Sequence, residues 1–204
     1  CADETLNAVW EICRYTIKAT TFCGVYVDGD RERIPYEGDA YINQLGHYAV
    51  DREFTLARHT HELLMRKPTW PTEWILHSVV MAWADYEHTG SDASRHRCYV
   101  DLQAKALVEL ARDDGLISTE TGLATPAVYQ SIHLEGHPFR DLVDWPPAGT
   151  DPAFGQVFGP KGERDGHEMK AINTVVNAFH YRALVLMGRI AAVVGEEKDA
   201  AFYI

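Results

Sequence analysis

Apolar residues recur at intervals of three and four along most of this chain, and that spacing constrains its fold more than any other feature. It is the period of one face of an α-helix. The first such segment, residues 4–21, would turn five side chains toward a core: Leu6, Val9, Trp10, Cys13 and Ile17. We therefore expect a helix here with Cys13 buried, and Asp3 is placed to cap its N-terminus.

Breakers divide the rest of the chain into further helical segments, which are predicted over residues 39–50, 52–66, 72–87, 93–114 and 167–194, with one more helix starting near residue 196. Thr72 is the predicted cap of the third of these, and Val100 is expected on the inward face of the fourth. No run has the pattern of a convincing strand, and the short segment of residues 24–28 is the best candidate. Residues 116–166 are rich in proline and glycine, and a connection of that length is usually functional. The recurring unit is helix, turn, helix, which predicts an all-α array in a single domain, residues 1–204.

The overall charge limits the partners of this chain. Its 204 residues carry a net charge of −11, whereas nucleic acids and anionic membranes require a basic face. No apolar run is long enough to span a bilayer, and no signal peptide is predicted. The compartment stays open between the cytoplasm and the periplasm or exterior. The four cysteines form no CxxC pair, so neither a zinc site nor any other metal site is expected.

The segment VDGDRERIPYEGDAY, residues 27–41, combines acids, arginines and aromatic side chains. One interpretation is a solvated surface loop with local ion pairs. The other is a catalytic loop, because glycoside hydrolysis requires paired carboxylates, one of which protonates the leaving oxygen. Pro35 stiffens the loop, and the aromatic residues have little use in a loop that is only solvated.

Four stretches of the chain together resemble the catalytic domain of bacterial α-L-rhamnosidases of glycoside hydrolase family 78. They are DGDRERIPYEGDAYINQLGHY, EWILHSVVMAWADYEHTG, LVDWP and GERDGHE with NTVVNAFHYRALVLM. The resemblance covers nearly the whole chain and implies an (α/α)6 barrel, a toroid of six helical hairpins. It also implies the removal of terminal α-L-rhamnose from glycosides or polysaccharides, with inversion and without a cofactor.

The family motif assigns roles to individual residues of the charged loop. By resemblance, Glu32 is the general acid, Asp39 binds the sugar, and Arg31 precedes the acid as it does in the family. Tyr36 stands where the family commonly has Trp. A further family aspartate, five or six positions before the acid, has no match here; Asp28 or Asp30 would replace it, and Asp28 is favoured.

Two later motifs supply further candidates. Asp144 and Trp145 resemble a pocket-lining segment in which a Trp offers an apolar plate to the sugar, although a core Trp is the alternative. Arg164 and Asp165 lie in ERDGHE, where a capped helix start is the alternative. Trp83 and His77 are both expected in the core, and His59 and His61, two apart on a helix, do not face one another.

The resemblance also implies that this chain represents part of a larger catalytic domain. An inverting mechanism requires a second carboxylate opposite the acid, and the family segment that carries this base has no match before Ile204. We therefore expect only part of the barrel here, with little activity on its own and with self-association through exposed hairpin faces. Two alternatives remain: a carbohydrate-binding domain without turnover, and an (α/α)6 glycosidase that acts on glucosides or uronates.

Overall fold

A computed structural model of the protein describes residues 3–29, 32–136, 138, 140–143 and 170–203. Within these ranges the chain is mostly helical, which confirms the all-α prediction. The helices are α1 (Glu4–Ala19), α2 (Glu37–Val50), α3 (Thr55–Arg66), α4 (Thr72–Thr89), α5 (Ala93–Lys105), α6 (Pro126–Ser131), α7 (Thr174–Val194) and α8 (Glu197–Tyr203), with a 3₁₀ turn at Val108–Leu110.

A short antiparallel hairpin joins α1 to the charged loop. Its strands are β1 (Thr21–Phe22) and β2 (Val25–Tyr26), and Thr21 lies opposite Tyr26. The best strand candidate, residues 24–28, therefore contains a strand, which covers Val25–Tyr26. Tyr26 is fully buried, and its hydroxyl lies 2.6 Å from Nδ1 of His47 on α2. This contact fixes the hairpin, and the loop that follows it, against α2.

Helix α4 is the centre of the fold. It contacts α2, α3, α5 and α7, and twelve of its eighteen residues are buried. A helix that is apolar on most sides has to be surrounded by other helices. Ile75 and Val79 on α4, Leu102 on α5 and Leu186 on α7 belong to the main core cluster and have no exposed surface. The first turns of α2 and α4 lie beside each other at one end of this core, where Gly38 approaches Trp74.

Helix α1 differs from the prediction, because its apolar face is exposed and none of its residues is buried. Leu6 is 58% exposed, Val9 is 50% exposed and Cys13 is exposed, so the expected burial of Cys13 is wrong. The end of α1 packs against α2. There, Ile17 lies so close to Gly46 that an added Cβ would be 3.0 Å from its Cδ1. The helical period shows that a face is apolar, but the period does not show that the chain covers it.

The fifth helix is shorter than predicted. It ends at Lys105, and Leu107 adopts a left-handed conformation with φ of 57°. The imidazole Nδ1–H of His180, on α7, donates to the carbonyl of Ala106 at 3.0 Å, which satisfies a group that a continuing helix would have used. Leu102, Leu107 and Leu110 are buried as expected, but Val100 is 76% exposed, so its predicted inward orientation is wrong.

The predicted helix caps have mixed outcomes. Asp3 accepts a hydrogen bond from the backbone N–H of Leu6 at 3.0 Å, as predicted. Thr72 is not the cap of α4, because it is the first helical residue and follows Pro71. Its N–H donates instead to the carbonyl of Arg140 at 2.9 Å. A backbone bond from the 140–143 segment therefore replaces the side-chain cap at this end of the fold.

Candidate functional site

The charged loop runs from β2 to α2, and two hydrogen bonds between Asp28 and Ile34 close its base. The N–H of Asp28 donates to the carbonyl of Ile34 at 3.0 Å, and the carboxylate of Asp28 accepts from the N–H of Ile34 at 3.1 Å. Glu32 lies between these two positions and is exposed. Asp28 therefore shapes the loop that presents Glu32, whatever else it binds.

Glu32 is bound by an aromatic residue from the end of the same loop. The Tyr36 hydroxyl donates to Oε2 of Glu32 at 2.7 Å. Burial, the hydrogen bond to Glu32 and the negative charges of Glu32, Asp28 and Asp39 raise the pKa of Tyr36. The phenol therefore keeps its proton at neutral pH and remains a donor to the carboxylate.

Asp39 lies in the first turn of α2 and is partly buried. Burial raises its pKa, its own backbone hydrogen bond opposes that rise, and the charges of Asp28 and Glu32 add to it. The structure therefore brings Asp28, Glu32 and Asp39 into one electrostatic cluster. Neighbouring negative charges destabilise one another, and a hydrogen-bond donor such as a sugar hydroxyl would stabilise them.

The rings of Tyr36 and Trp74 form what we call the aromatic wall, which lies beside this cluster. The rings of Tyr36 and Trp74 meet edge to face, with centroids 5.1 Å apart. A Cβ added at Gly38 would lie 3.1 Å from Nε1 of Trp74, so any side chain there would displace the indole. Trp70 lies in the preceding loop, where the Arg140 guanidinium stands 5.2 Å from the centre of its ring. Aromatic surfaces next to carboxylates are suited to the C–H faces and hydroxyls of a sugar.

Trp70, Trp74 and the buried acids Glu37 and Glu73 were not selected as site residues from the sequence. One signal was available: Trp70 precedes a proline in a loop that leads into a helix, the same context that favoured Trp145. Trp74 carried no such signal, because its position depends on how α4 docks against α2.

Buried carboxylates bind the segments around this wall together. Glu37, on α2, accepts from the N–H of Thr69 at 3.0 Å and also from its hydroxyl. Glu73, on α4, accepts from the N–H groups of Leu142 and Val143 at 3.3 and 2.7 Å. Burial raises the pKa of both acids. The start of α2, the 67–72 loop and the 140–143 segment thus converge on one end of the fold.

The predictions that His77 and Trp83 lie in the core are confirmed. His77 is buried, its Nδ1–H donates to the carbonyl of Glu73 at 2.7 Å, and its ring packs 4.5 Å from that of Phe179. Trp83 is partly buried and packs against the main core.

Six predicted site residues lie outside the described part of the chain: Asp30, Arg31, Asp144, Trp145, Arg164 and Asp165. Among the residues that the structure does describe, no three His, Cys, Asp or Glu side chains group in a way that could hold a metal ion. Within the same ranges, none of the helices has the length and apolar character needed to cross a bilayer.

Comparison with known proteins assigns the chain to a family. The family model described as the bacterial alpha-L-rhamnosidase 6 hairpin glycosidase domain matches residues 1–204. No curated protein and no solved structure matches the chain. The match spans the whole sequence, and it confirms both the resemblance stated from the motifs and the six-hairpin fold class. The chain belongs to the bacterial α-L-rhamnosidase six-hairpin glycosidase domain family.

Proposed function

We propose that this domain acts on terminal α-L-rhamnosides, with Glu32 as the group that protonates the glycosidic oxygen. The observation that carries the proposal is the Glu32–Tyr36 hydrogen bond of 2.7 Å, set in a cluster of acids beside an aromatic wall. The family is one of glycosidases, and neither a metal nor an organic cofactor is needed for this chemistry.

The neighbouring residues take complementary roles in this proposal. Asp39 and Asp28 accept hydrogen bonds from rhamnose hydroxyls, and Tyr36 and Trp74 face the C–H side of the ring and its methyl group. Asp30, Arg31, Asp144, Trp145, Arg164 and Asp165 stay proposed substrate ligands on the strength of the family motifs alone.

The proposed reaction inverts the anomeric carbon. Glu32 donates its proton to the leaving oxygen as the C1–O bond breaks, while water attacks C1 from the opposite face. That water requires a second carboxylate, separated from the acid by about 6.5–9.5 Å across the sugar. In this proposal Asp28, Glu32 and Asp39, which share one twelve-residue segment, contact the sugar from one side. The base therefore has to come from another segment.

The same one-sided arrangement favours a second candidate, a carbohydrate-binding domain without turnover. Such a domain would keep the acids and the aromatic wall as ligands, and it would need no base. An (α/α)6 glycosidase that acts on glucosides or uronates is the other alternative. The two enzyme hypotheses differ in the sugar that is hydrolysed. The binding-domain hypothesis differs from both because it predicts no turnover.

The test is a sugar panel on the protein of this sequence. Isothermal titration with L-rhamnose, glucose, mannose and glucuronate is expected to show binding of rhamnose, and Asp39→Asn is expected to weaken it. In parallel, nitrophenyl glycosides of the same sugars are assayed for release of nitrophenol. Preference for glucose or glucuronate over rhamnose would reject the rhamnoside assignment. Rhamnose binding without turnover, even with an added nucleophile, would support the binding domain.

A further inference from the structure

We infer that Glu37 is a positioning residue for the sugar site: its buried carboxylate locks the start of α2, which carries Tyr36 and Asp39, to the loop that carries Trp70. This inference deepens the proposed function and rests on it for the identity of the sugar. Glu37 itself is fully buried, so it is not placed to touch the substrate.

The lock consists of two hydrogen bonds between elements that are distant in sequence. The backbone N–H of Thr69 donates to Oε1 of Glu37 at 3.0 Å, and the Thr69 hydroxyl donates to Oε2. Both carboxylate oxygens are thus used on a single residue of the 67–72 loop. A two-point contact fixes orientation as well as distance.

Lys105, the last residue of α5, supplies a positive charge that acts on Glu37. It too is fully buried, and its ammonium donates to the carbonyl of Ile132 at 2.9 Å. Burial raises the pKa of Glu37, and the Thr69 hydroxyl and the charge of Lys105 oppose that rise. Burial likewise lowers the pKa of Lys105 to about 8, and the charge of Glu37 opposes that change. Each group therefore stabilises the charged form of the other in a place that disfavours both.

The neighbours of Glu37 explain what this lock controls. Tyr36, which precedes it, binds Glu32, and Gly38, which follows it, lies against Trp74. Thr69 immediately precedes Trp70. A shift of Glu37 relative to Thr69 would therefore change the spacing between the acid cluster and the aromatic wall.

A purely structural role would be served better by an apolar side chain. Removing two charges from water costs more than burying hydrocarbon, and replacing buried opposite charges with apolar residues is often neutral or stabilising. The double variant Glu37→Leu/Lys105→Met uses this difference. It removes both buried charges together, so it leaves no unpaired charge behind, but it also removes both bonds to Thr69 and the bond from Lys105 to the carbonyl of Ile132.

The experiment measures L-rhamnose affinity, thermal midpoint and amide hydrogen exchange of residues 36–41 in the protein and its variants. In Glu37→Leu/Lys105→Met we expect a midpoint no lower than that of the Asp85→Asn control described below, at least about tenfold weaker rhamnose binding, and exchange of residues 36–41 at least about tenfold faster. Glu37→Gln keeps one acceptor for the Thr69 N–H and is expected to fall between the two. Asp85→Asn is the matched control, because Asp85 is also buried and pairs with Arg58 at 3.0 Å, but at the other end of α4. It is expected to lower the midpoint without changing rhamnose affinity.

Two results would overturn the inference. One is a double variant that binds rhamnose as tightly as the parent, and the other is unchanged exchange of residues 36–41. If the parent itself binds no rhamnose in the sugar panel, the proposed function fails and the exchange measurement alone decides the role of Glu37. The two failures are thereby distinguished.

Discussion

The hydroxyl of Tyr36 donates a hydrogen bond of 2.7 Å to the carboxylate of Glu32, four residues earlier in the chain. The same ring meets Trp74 edge to face at 5.1 Å. One side chain therefore both orients the proposed acid and forms part of the aromatic wall. By resemblance the family commonly has Trp at this position, and a Trp there would keep the wall but could not make the same bond.

Two substitutions at Tyr36 separate these roles. In a form of the domain that turns over, Tyr36→Phe removes the hydroxyl and keeps the ring. It is expected to lower turnover of α-L-rhamnosides with poor leaving groups about fivefold, since an intramolecular hydrogen bond is worth about 1 kcal/mol. Tyr36→Trp is expected to lose the same bond while keeping rhamnose affinity within about twofold. Steady-state kinetics and titration of both variants provide the measurement. Unchanged turnover and affinity in both variants would assign Tyr36 to the wall alone.

Replacing the proposed acid tests the mechanism directly. In a form of the domain that turns over, Glu32→Gln is expected to lower turnover at least about 100-fold for substrates with poor leaving groups, because general acid catalysis contributes about 100- to 10,000-fold. The loss is expected to be much smaller for activated aryl rhamnosides, whose leaving oxygen needs no proton. A near-normal rate on a poor leaving group would exclude Glu32 as the acid.

Turnover by the protein of this sequence tests the proposal that the acids of the charged loop contact the sugar from one side and do not supply the base. Because the three acids of the loop share one segment, we expect little or no release of nitrophenol from an aryl α-L-rhamnoside. Azide needs no general base, and it can attack C1 as the C1–O bond breaks, so it is expected to restore activity and to yield the β-rhamnosyl azide. Mass spectrometry and NMR of the product give the measurement. Robust hydrolysis without azide would mean that a base is already in place.

The sequence predicts helix boundaries well where adjacent residues determine them. The boundaries of α2, α3 and α7 lie close to the predicted ones at one end or both, since breakers and caps such as Gly195 act on adjacent residues. The proximity of Glu32, Tyr36 and Asp39 is also local, because all three lie within eight positions. These features required no knowledge of the tertiary fold.

Other features depend on contacts between distant segments, and they were missed. Helix α5 ends where His180 binds the carbonyl of Ala106, seventy-four positions away. At the start of α4, the N–H of Thr72 donates to the carbonyl of Arg140 in place of a side-chain cap. Trp74 joins the site only because α4 docks against Gly38. None of these contacts leaves a periodic trace in the sequence.

Acid is expected to destabilise the fold through His61. This residue is buried, its Nε2–H donates to the carbonyl of Ser78 at 2.9 Å, and burial lowers its pKa to about 4. The unfolded chain binds a proton near pH 6.5 whereas the folded chain does not, so stability is full above pH 6.5 and falls as the pH drops toward 4. Between pH 7.5 and 5 the loss from this group is about 2 kcal/mol.

The check on His61 is urea denaturation at pH 7.5 and pH 5. His61→Gln can keep a donor toward Ser78 but does not titrate, so its stability is expected to fall by about 2 kcal/mol less than that of the parent over this interval. His77 and His180 are also buried with lowered pKa values, and they contribute equally to both proteins. An identical pH dependence in parent and variant would contradict the assignment to His61.

The exposed apolar stripe of α1 predicts self-association, since a helix face of this kind is stable in water only when another surface covers it. Leu6, Val9 and Trp10 are 58%, 50% and 45% exposed. Val9→Lys and Trp10→Lys are therefore expected to shift the protein toward monomer in light scattering after size exclusion, with little change in thermal midpoint, because neither side chain is buried within its own chain. Ile12→Lys is the matched control: Ile12 is 65% exposed on the same helix but lies off the stripe, so its substitution is expected to leave the oligomeric state unchanged. If all three variants behave alike, net charge rather than the stripe governs association, and if the parent is monomeric at high concentration the stripe does not bind a second copy.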